Sequence, residues 1–307
     1  MKALVLLNMG ASRNKEEFKV FLKNMFNDKY ILTIKNKYLR RLVAFFIVRK
    51  ILKNSWEHFE KIGGMSPMYN LTERLVSKLQ EMLPEYYVCY TMRYTSPFSF
   101  EIIKNLQEKN IKDITLLSLY PHNSTTTKVS SEQDFLKHKT KDLDIKILNY
   151  FFENPLYNKA IVENIKKSLV GKNYNNYNLI FSAHSLPQKV IDSGDSYKDH
   201  IEKNVEILKE KCADENMDFA SIALAYQSKV GRAKWLEPSL SDVLKRYKGK
   251  NIIIYPISFI IDNSETIYEL DIEYKELALE LGVKDYIRVE CLNDNDIFCE
   301  MIKNMLE

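Results

Sequence analysis

Short, continuously apolar segments alternate along this chain with longer stretches of helical periodicity. Continuous rather than alternating apolar residues are typical of strands buried on both faces, as in a parallel sheet covered by helices. Four such segments fall in each half of the chain, so the sequence predicts an α/β protein of two similar domains, at residues 1–155 and 156–307. The predicted strands are Ala3–Asn8, Tyr87–Met92, Ile114–Leu119, Ile145–Tyr150, Leu179–Ala183, Ile222–Tyr226, Ile252–Tyr255 and Ile287–Cys291.

The two halves also share a dipeptide. The third predicted strand ends at Tyr120-Pro121 in the first half and at Tyr255-Pro256 in the second, which suggests an internal duplication. Sheets of this class bind ligands beyond the carboxyl ends of their strands. We therefore expect functional side chains at strand ends and a ligand in a cleft between the domains.

Composition excludes several classes of protein. A formal net charge of +4 is too small to indicate nucleic acid as the main partner. The four cysteines form no C-x-x-C pair, which argues against a zinc knuckle or a redox motif. The G-x-G-x-x-G, P-loop and G-x-S-x-G motifs are also missing. The apolar N-terminal run is too short for a signal peptide, and no stretch reaches the roughly 18 apolar residues of a membrane span, so we expect a cytoplasmic protein.

One of the five histidines stands at the end of a predicted buried strand, in the segment FSAHSLP, residues 181–187. Ser185 and Pro187 end the strand directly after His184. A histidine at this position can be a structural residue hydrogen-bonded at the strand end. It can equally be a base or a metal ligand, because imidazole titrates near neutral pH.

A row of glutamates follows the seventh predicted strand. Glu265, Glu269 and Glu273 repeat every four residues and so share one face of a predicted helix. Asp262 and Glu265 have the D-x-x-E spacing of a capping box, and the solvated face of an amphipathic helix would also explain the row. The stretch 251–274 contains no lysine or arginine, however, and like charges on one face repel. The row is therefore also a candidate track for a divalent cation.

Two further segments follow predicted strands. LYPHNSTTTKVSS, residues 119–131, is dense in hydroxyl groups, which can cap the next helix or hold an anionic group together with helix N-terminal amides. TMRYTSP, residues 91–97, places Arg93 just past a strand, where it could bind a carboxylate or form an ordinary salt bridge.

A basic and apolar segment runs from Ile31 to Trp56. It carries no acidic residue, and Leu42–Val48 is uninterruptedly apolar. This pattern fits a packed helix, a lip around an apolar ligand, or a helix lying on an anionic membrane surface. We expect Leu39–Lys53 to make reversible, peripheral contact with the inner face of a membrane without crossing it.

Taken together, these motifs resemble those of ferrochelatase, the enzyme family that inserts ferrous iron into a porphyrin to make haem. The resemblance runs along almost the whole chain, in the family's order: LLNMGAS, IGGMSPMY, MRYTSP, LYPHNSTTTKVSS, FSAHSLP, SGDSY, YQSKVGRAKWLEPS and PISFIIDNSETIYELDIEY. It implies the chelatase fold, with two Rossmann-like domains that each contain a four-stranded parallel sheet.

The resemblance also implies roles for individual residues. His184 and Glu265 would be the catalytic pair, and Glu269 and Glu273 would bind the metal together with them. We assign substrate binding to Met9, Arg93, Tyr120, Ser124, Thr126, Thr127 and Ser185.

The sequence departs from the family at a few positions. A third glycine is common where Met65 stands, glutamine is usual at His122, and glycine is usual at Lys128. A histidine is common where Asn263 stands, so one metal ligand is lost and the site depends more on His184. Met65 and residues 122–129 would tune the porphyrin pocket.

We therefore expect insertion of Fe2+ into protoporphyrin IX with release of two protons, the terminal step of haem b biosynthesis. Fe2+ and the porphyrin would be substrates, with no permanently bound cofactor. We expect no [2Fe–2S] cluster, because the cysteine cluster at the end of some relatives is missing. We also expect a monomer with no nucleic-acid partner. The alternatives are a coproporphyrin III ferrochelatase, a cobalt chelatase, or a non-catalytic two-domain protein that binds haem or another ligand.

Overall fold

A computed structural model describes residues 1–229, 231 and 233–307. Val230 and Arg232, which belong to the quoted segment YQSKVGRAKWLEPS, lie outside the described residues. The chain forms two compact units, of which unit 1 comprises Met1–Tyr120 with Ser124–Tyr150, and unit 2 comprises Pro121–Asn123 with Phe151–Glu307. The predicted division after residue 155 would separate Pro155 from the helix that it begins.

Unit 1 is a four-stranded parallel sheet with the strand order β2-β1-β3-β4. Its strands are β1 Lys2–Asn8, β2 Tyr86–Met92, β3 Asp113–Ser118 and β4 Asp144–Ile147. Its helices are α1 Lys15–Asn27, α2 Lys37–Lys61, α3 Met68–Met82, α4 Ser99–Glu108 and α5 Ser130–Lys137, with a π-helix at Thr125–Val129. The central strand β1 is buried on both faces from Ala3 to Leu7, as the continuous apolar run predicts.

Unit 2 repeats this arrangement with the strand order β6-β5-β7-β8, again all parallel. Its strands are β5 Tyr177–His184, β6 Ser221–Gln227, β7 Asn251–Tyr255 and β8 Asp285–Arg288. Its helices are α6 Pro155–Ser168, α7 Gln188–Asp192, α8 Tyr197–Asp214, α9 Leu240–Leu244, α10 Tyr274–Glu280 and α11 Asp296–Asn304. A π-helix covers Glu265–Glu273, and short 3-10 turns cover Tyr174–Asn176 and Lys245–Tyr247. The predicted fold class, two similar domains with a four-stranded parallel sheet each, is confirmed.

Two of the four edge strands, β4 and β8, are shorter than predicted. β4 ends at Ile147 rather than Tyr150, and β8 ends at Arg288 rather than Cys291. The apolar residues that follow are still buried, with Cys291 only 1% exposed. An edge strand pairs on one side only, so its apolar tail can leave the ladder and pack into the core. An apolar run alone does not distinguish these two outcomes.

The shared dipeptide does not occupy equivalent positions in the two units. Tyr255 is the last residue of β7, whereas Tyr120 lies beyond Ser118, where β3 ends. The similarity of the units is instead visible in their identical strand order, and in the π-helix followed by an α-helix after the third strand of each.

Candidate active site

His184 is the last residue of β5, and hydrogen bonds fix its backbone on both sides. Its N–H donates to Ser258 Oγ at 3.0 Å, and its carbonyl accepts from Tyr197 Oη at 2.8 Å. The Tyr197 and Ser258 hydroxyls are themselves 2.7 Å apart. The next residue, Ser185, is fully buried and donates its N–H to the carbonyl of Gln227 at 2.8 Å. The strand end is thus a rigid platform for the imidazole.

The closest ionisable partner of the imidazole is Glu265. His184 Nε2 lies 3.6 Å from Glu265 Oε2, and the two side chains are 32% and 34% exposed. Glu265 Oε2 itself is buried and accepts no hydrogen bond within the part of the chain that the structure describes. A carboxylate oxygen buried without a donor is unusual in proteins. The arrangement leaves this oxygen available to a proton or a metal ion.

Glu269 follows Glu265 on the same helix, and hydrogen bonds from the end of the neighbouring strand β6 hold it in place. Its Oε2 accepts from Ser228 Oγ at 2.6 Å and from Gln227 Nε2 at 3.2 Å. Ser182 of β5 donates to Gln227 Oε1 at 2.7 Å and so orients that amide. Ser228 has a left-handed backbone with φ of 65°. Such a conformation costs a non-glycine residue roughly 1–3 kcal/mol and tends to occur at functional sites.

The protonation states of these groups differ from those of the free side chains. Burial lowers the pKa of His184, although the negative charge of Glu269 opposes this effect, so the imidazole is neutral at neutral pH. Burial raises the pKa of Glu265 and of Glu269 to about 7, and the charge of Glu265 adds to the shift at Glu269. Among the described residues, neither glutamate forms an ion pair with lysine or arginine. The site therefore combines a neutral base with two carboxyl groups that exchange protons near neutral pH.

The structure rejects the capping-box explanation for Glu265. The Asp262 N–H donates to Asn293 Oδ1 rather than to Glu265. Asn263 caps this segment instead, because its Oδ1 accepts from the N–H of Glu265 at 2.8 Å. Asn263 is thus a backbone-binding residue at the position where a histidine is common in the family.

The segment that carries the glutamates is also wound differently from the prediction. Residues Glu265–Glu273 form a π-helix, in which the N–H of Tyr274 bonds to the carbonyl of Glu269, five residues back. Glu265 and Glu269 are partly buried, so the fully solvated face expected of an amphipathic surface helix is not what the structure shows. Glu273 is exposed.

The described part of the chain contains no ready three-ligand metal centre. Among residues 1–229, 231 and 233–307, no group of three or more His, Cys, Asp or Glu side chains is arranged to hold a metal ion. Of the four predicted metal ligands, His184 ends β5, and Glu265 and Glu269 lie on the π-helix near it. Glu273 is the exposed last residue of that π-helix. That these four residues bind metal stays a prediction.

Arg93 follows β2 in unit 1, where all three nitrogens of its guanidinium already have protein partners. Nε donates to Ser130 Oγ at 3.0 Å, Nη2 to Asp28 Oδ2 at 2.9 Å, and Nη1 lies 3.3 Å from Asp134 Oδ1. Arg93 borders a cavity of about 520 Å³ that lies within unit 1 and is also lined by Lys29 and both aspartates. A substrate carboxylate would have to share Arg93 with two aspartates.

The other predicted substrate-binding residues are distributed along strand ends. Met9 follows β1, and its carbonyl accepts from the N–H of Tyr94 at 3.0 Å. Ser124 caps the π-helix Thr125–Val129 by accepting from the N–H of Thr126 at 3.2 Å. Tyr120 keeps a buried hydroxyl that has no hydrogen-bond partner among the described residues.

The remaining three are largely engaged within the protein. Thr126 is buried, with its hydroxyl 2.9 Å from that of Ser124. The carbonyl of Thr127 accepts from the N–H of Ser130. Ser185 is fully buried in unit 2, and its hydroxyl lies 3.4 Å from the carbonyl of Leu236. Substrate contacts for this set stay predictions.

Sequence reasoning did not assign roles to Gln227, Ser228, Tyr197 or Ser258. A usable signal existed for the first two, because Gln227 ends β6, Ser228 follows it, and β6 lies beside β5 in the sheet. The carboxyl ends of neighbouring parallel strands meet at one edge, so residues 227 and 228 had to lie near His184. Tyr197 and Ser258 act through the backbone of His184, which no residue pattern reveals.

Comparison with known proteins agrees on one family. The chain matches the family model described as "Ferrochelatase" over residues 1–307. It is 46% identical to a ferrochelatase of a Nitratiruptor species, over 100% of this chain and 99% of that protein. It is 46% identical to one of Sulfurimonas denitrificans, over 98% and 96%, and 39% identical to one of Helicobacter pylori, over 100% and 94%.

Solved structures support the fold at much lower identity. SirB from Bacillus subtilis, solved with Fe3+, is similar with a TM-score of 0.58 and 11% identity, over 100% of this chain and 94% of that one. CbiX, titled the terminal enzyme for biosynthesis of sirohaem in denitrifying bacteria, has a TM-score of 0.54 and 9% identity, over 100% and 98%.

Proposed function

The chain belongs to the ferrochelatase family and is a metal chelatase of haem biosynthesis, and from that premise we propose that it inserts Fe2+ into protoporphyrin IX with release of two protons. The observation that carries the proposal is the pairing of a neutral imidazole with a carboxyl group 3.6 Å away, whose buried oxygen lacks a hydrogen-bond partner among the described residues.

The reaction breaks two pyrrole N–H bonds and forms bonds from those nitrogens to iron, so two protons must leave. Neutral His184 can accept one of them, because burial lowers the pKa of the imidazole and leaves its unprotonated nitrogen free to bind a proton. Glu265, with a pKa of about 7, can take the second proton or deliver the metal. Glu269 comes next along the helix and Glu273 lies at the exposed end, so protons or Fe2+ could pass along this row.

The choice of protoporphyrin IX over coproporphyrin III depends on how many cationic side chains are free to bind propionates. Coproporphyrin III carries four propionates rather than two and calls for more positive anchors. In unit 1 two cations near predicted substrate residues are already paired, Arg93 with Asp28 and Asp134, and buried Lys128 with Glu132 at 2.5 Å. This pairing favours the porphyrin with fewer carboxylates.

The decisive experiment mixes the purified protein with Fe2+ and each porphyrin under anaerobic conditions and follows the absorption spectrum. We expect turnover with protoporphyrin IX and a lower kcat/KM with coproporphyrin III. The reverse order would overturn the choice of substrate, and binding of both without turnover would favour a non-catalytic binding protein. Replacing Fe2+ by Co2+ in the same assay tests the cobalt alternative.

A glutamate series tests the roles within the row. Glu265→Gln should lower kcat by on the order of 10²-fold or more, as expected for loss of a general acid–base group. Glu269→Gln should be milder, roughly tenfold, and should mainly weaken the use of Fe2+. Exposed Glu273→Gln should be the mildest of the three. Rates measured against Fe2+ concentration give this ranking, and equal small effects at all three positions would contradict it.

Helix α2 supports the peripheral membrane contact proposed for Leu39–Lys53. One face packs on α1 through Val48, Trp56 and Phe59. The other face leaves large apolar side chains more than half exposed: Tyr38, Leu39, Leu42, Phe45 and Phe46. Exposed basic residues flank this face at Arg41, Arg49, Lys50 and Lys53. No helix among the described residues is long and apolar enough to cross a membrane.

Arg40 is an exception among these basic residues, because it donates to the carbonyls of Asn27 and Ile34. A liposome co-sedimentation test should therefore leave Arg40 unchanged and replace Arg41, Arg49, Lys50 and Lys53 by Gln. Each basic group near an anionic surface contributes about 1 kcal/mol. We expect the wild type to sediment with anionic vesicles at low salt and to be released by high salt or by the fourfold change. A wild type that stays in the supernatant at low salt would leave α2 as a lip or a packing element.

Sedimentation velocity without lipid tests the expected monomer.

A further inference from the structure

Arg288, the last residue of β8, contacts both ends of the segment that carries the active-site glutamates. Its Nη1 donates to Asp262 Oδ1 at 2.7 Å, just before the π-helix begins. Its Nε and Nη2 donate to the two carboxylate oxygens of Asp271 at 3.0 and 2.6 Å, in the last turn of that helix. The Arg288 side chain is only 9% exposed. One guanidinium therefore bridges the residues that flank Glu265 and Glu269.

Asp262 is the centre of this arrangement. Its Oδ1 also accepts from Thr266 Oγ1 at 2.8 Å, within the first turn of the π-helix. Its Oδ2 accepts from the N–H of Cys291 at 3.1 Å and from Asn293 Nδ2 at 3.0 Å. The start of the π-helix is thus tied to the chain that follows β8 by a carboxylate whose hydrogen-bonding capacity is fully used.

Tyr286 strengthens the same connection. It lies two residues before Arg288, so both side chains leave β8 on the same face. Its buried hydroxyl donates to the carbonyl of Leu270 at 2.7 Å. β8 therefore holds the segment just before the π-helix through Asp262, and the π-helix itself through Leu270 and Asp271.

We propose that Arg288 is a positioning residue, which keeps residues 262–273 in the π-helical winding that presents Glu265 and Glu269 to His184. The inference rests on the proposed function, since it takes those glutamates to be the working groups. A π-helix of this length is rare, because π winding occurs mostly as single-turn bulges inside α-helices, so loss of its supporting contacts would favour the commoner α-helical pattern. A shift of that kind would move Glu265 relative to Glu269, and small displacements of reacting groups lower rates strongly.

The position of the Arg288 charge relative to Glu265 and Glu269 also fits this role. Arg288 neutralises Asp262 and Asp271, and among the described residues it forms no ion pair with Glu265 or Glu269. Arg288 can therefore hold the helix without favouring the ionised form of the two glutamates. A lysine could replace the charge but not the three-nitrogen geometry that joins two carboxylates.

The test compares Arg288→Lys, Arg288→Met and Asp271→Asn with a control on the same strand. Asp285 begins β8 at the opposite end and pairs with Lys172 at 2.8 Å, so Asp285→Asn breaks an ion pair of β8 away from the site. For each variant, kcat and the KM for porphyrin are measured with the melting temperature, and hydrogen exchange is followed in peptides covering residues 262–274.

We expect kcat to fall roughly tenfold in Arg288→Lys and Asp271→Asn and roughly 100-fold in Arg288→Met, with KM for porphyrin unchanged. Exchange should accelerate in residues 262–274, whereas Asp285→Asn should lower the melting temperature without changing kcat. If Arg288→Met does not fold, Arg288→Lys and Asp271→Asn still test the proposal. Unchanged kcat and unchanged local exchange in both would overturn the proposal.

Glu265→Gln measured alongside separates this inference from the proposed function. If Glu265→Gln were fully active, the assignment of Glu265 would fail. Accelerated exchange of residues 262–274 in the Arg288 variants would then still support the hold of Arg288 on the helix.

Discussion

The two sheets share their strand order, yet their carboxyl ends carry different electrostatic arrangements. When the first residues of the central strands β1 and β5 are aligned, Met9 of unit 1 occupies the position of His184 of unit 2. The pairing of Asn8 with Met92 and of Ala183 with Tyr226 then makes Arg93 the counterpart of Gln227. Unit 1 therefore has an arginine where unit 2 has a neutral amide.

This difference decides what each sheet end can do. In unit 1, Arg93 compensates the charges of Asp28 and Asp134, and the result is a closed set of ion pairs. In unit 2, the uncharged groups of Gln227 and Ser228 hold Glu269, no lysine or arginine among the described residues pairs with it, and burial raises the pKa of both glutamates to about 7. The same fold thus carries a set of ion pairs at one sheet end and two carboxyl groups with raised pKa values at the other, and the difference comes from the residues at the strand ends.

Removing the proposed base of unit 2, His184, should have the largest effect. His184→Ala should lower kcat by on the order of 10³-fold, because general base catalysis is lost. Folding should be retained, since the strand end is held through the backbone of residue 184 and not through its ring. Circular dichroism, porphyrin binding and the insertion assay measure these outcomes.

The matched control for that change is His138→Ala. His138 lies at the end of α5 in unit 1, with its ring 6.0 Å from that of Phe100, and has no role in the proposed chemistry. Near-normal iron insertion by His184→Ala would show that another group is the base.

Removing the arginine of unit 1 should mainly affect stability. Arg93→Met would leave Asp28, whose side chain is 2% exposed, without its cation. Breaking a buried pair in this way costs about 3 kcal/mol of unfolding free energy, whereas the exposed pair Lys104–Glu108 should tolerate Lys104→Met within about 0.5 kcal/mol. Denaturant unfolding measures both.

Kinetics of the same variant decide between two roles for Arg93. If the arginine only stabilises unit 1, the folded fraction of Arg93→Met should keep its KM for porphyrin. A large rise in KM with little loss of stability would instead support the predicted role in binding a substrate carboxylate.

Much of this comparison could be predicted from the sequence. The strand ends that carry His184 and Arg93 follow from apolar runs that stop at polar residues, because burial on both faces leaves little room for other patterns. The glutamate row and the hydroxyl-rich segment were also found, since both come after predicted strands in the sequence.

The partners of these residues could not be predicted. Asp28 meets Arg93 across 65 residues of sequence, and Asp262 meets Arg288 across 26. We propose that the π-helical winding at Glu265–Glu273 depends on such distant contacts, whereas an α-helix would have the same local pattern of apolar and acidic residues. The edge strands β4 and β8 were overestimated for a related reason, because burial of their tails does not require pairing.

Giving unit 2 the arginine of unit 1 should sharpen the comparison. Gln227→Arg would place a cation beside Glu269, whose Oε2 lies 3.2 Å from Gln227 Nε2. An adjacent positive charge favours the ionised carboxylate and lowers its pKa. We expect a loss of activity of roughly tenfold, with the acidic limb of the pH–rate profile moved to lower pH.

Gln227→Met is the control for Gln227→Arg, because it removes the amide without adding charge. It should lower activity without moving the limb. Identical pH profiles for the two variants would show that charge at this position does not govern the site.

The smallest effect concerns the stability cost of keeping Glu265 buried. Burial raises its pKa to about 7 in the folded protein, whereas a glutamate in an unfolded chain titrates near about 4.3. Between these values the folded protein holds a proton that the unfolded chain has lost. The resulting stabilisation is complete at low pH and disappears as the pH rises through about 7.

Glu265→Gln keeps the neutral form at every pH, so it should be more stable than the wild type above neutral pH and equally stable in acid. Since the Glu265 side chain is one third exposed, solvent reduces the effect, and we expect a gain on the order of 1 kcal/mol at about pH 8 and none near pH 4. Denaturant unfolding at both pH values measures it, with exposed Glu276→Gln on α10 as the control. A gain that is equal at both pH values would mean that Gln packs better at this position, and that burial does not destabilise the ionised carboxylate of Glu265.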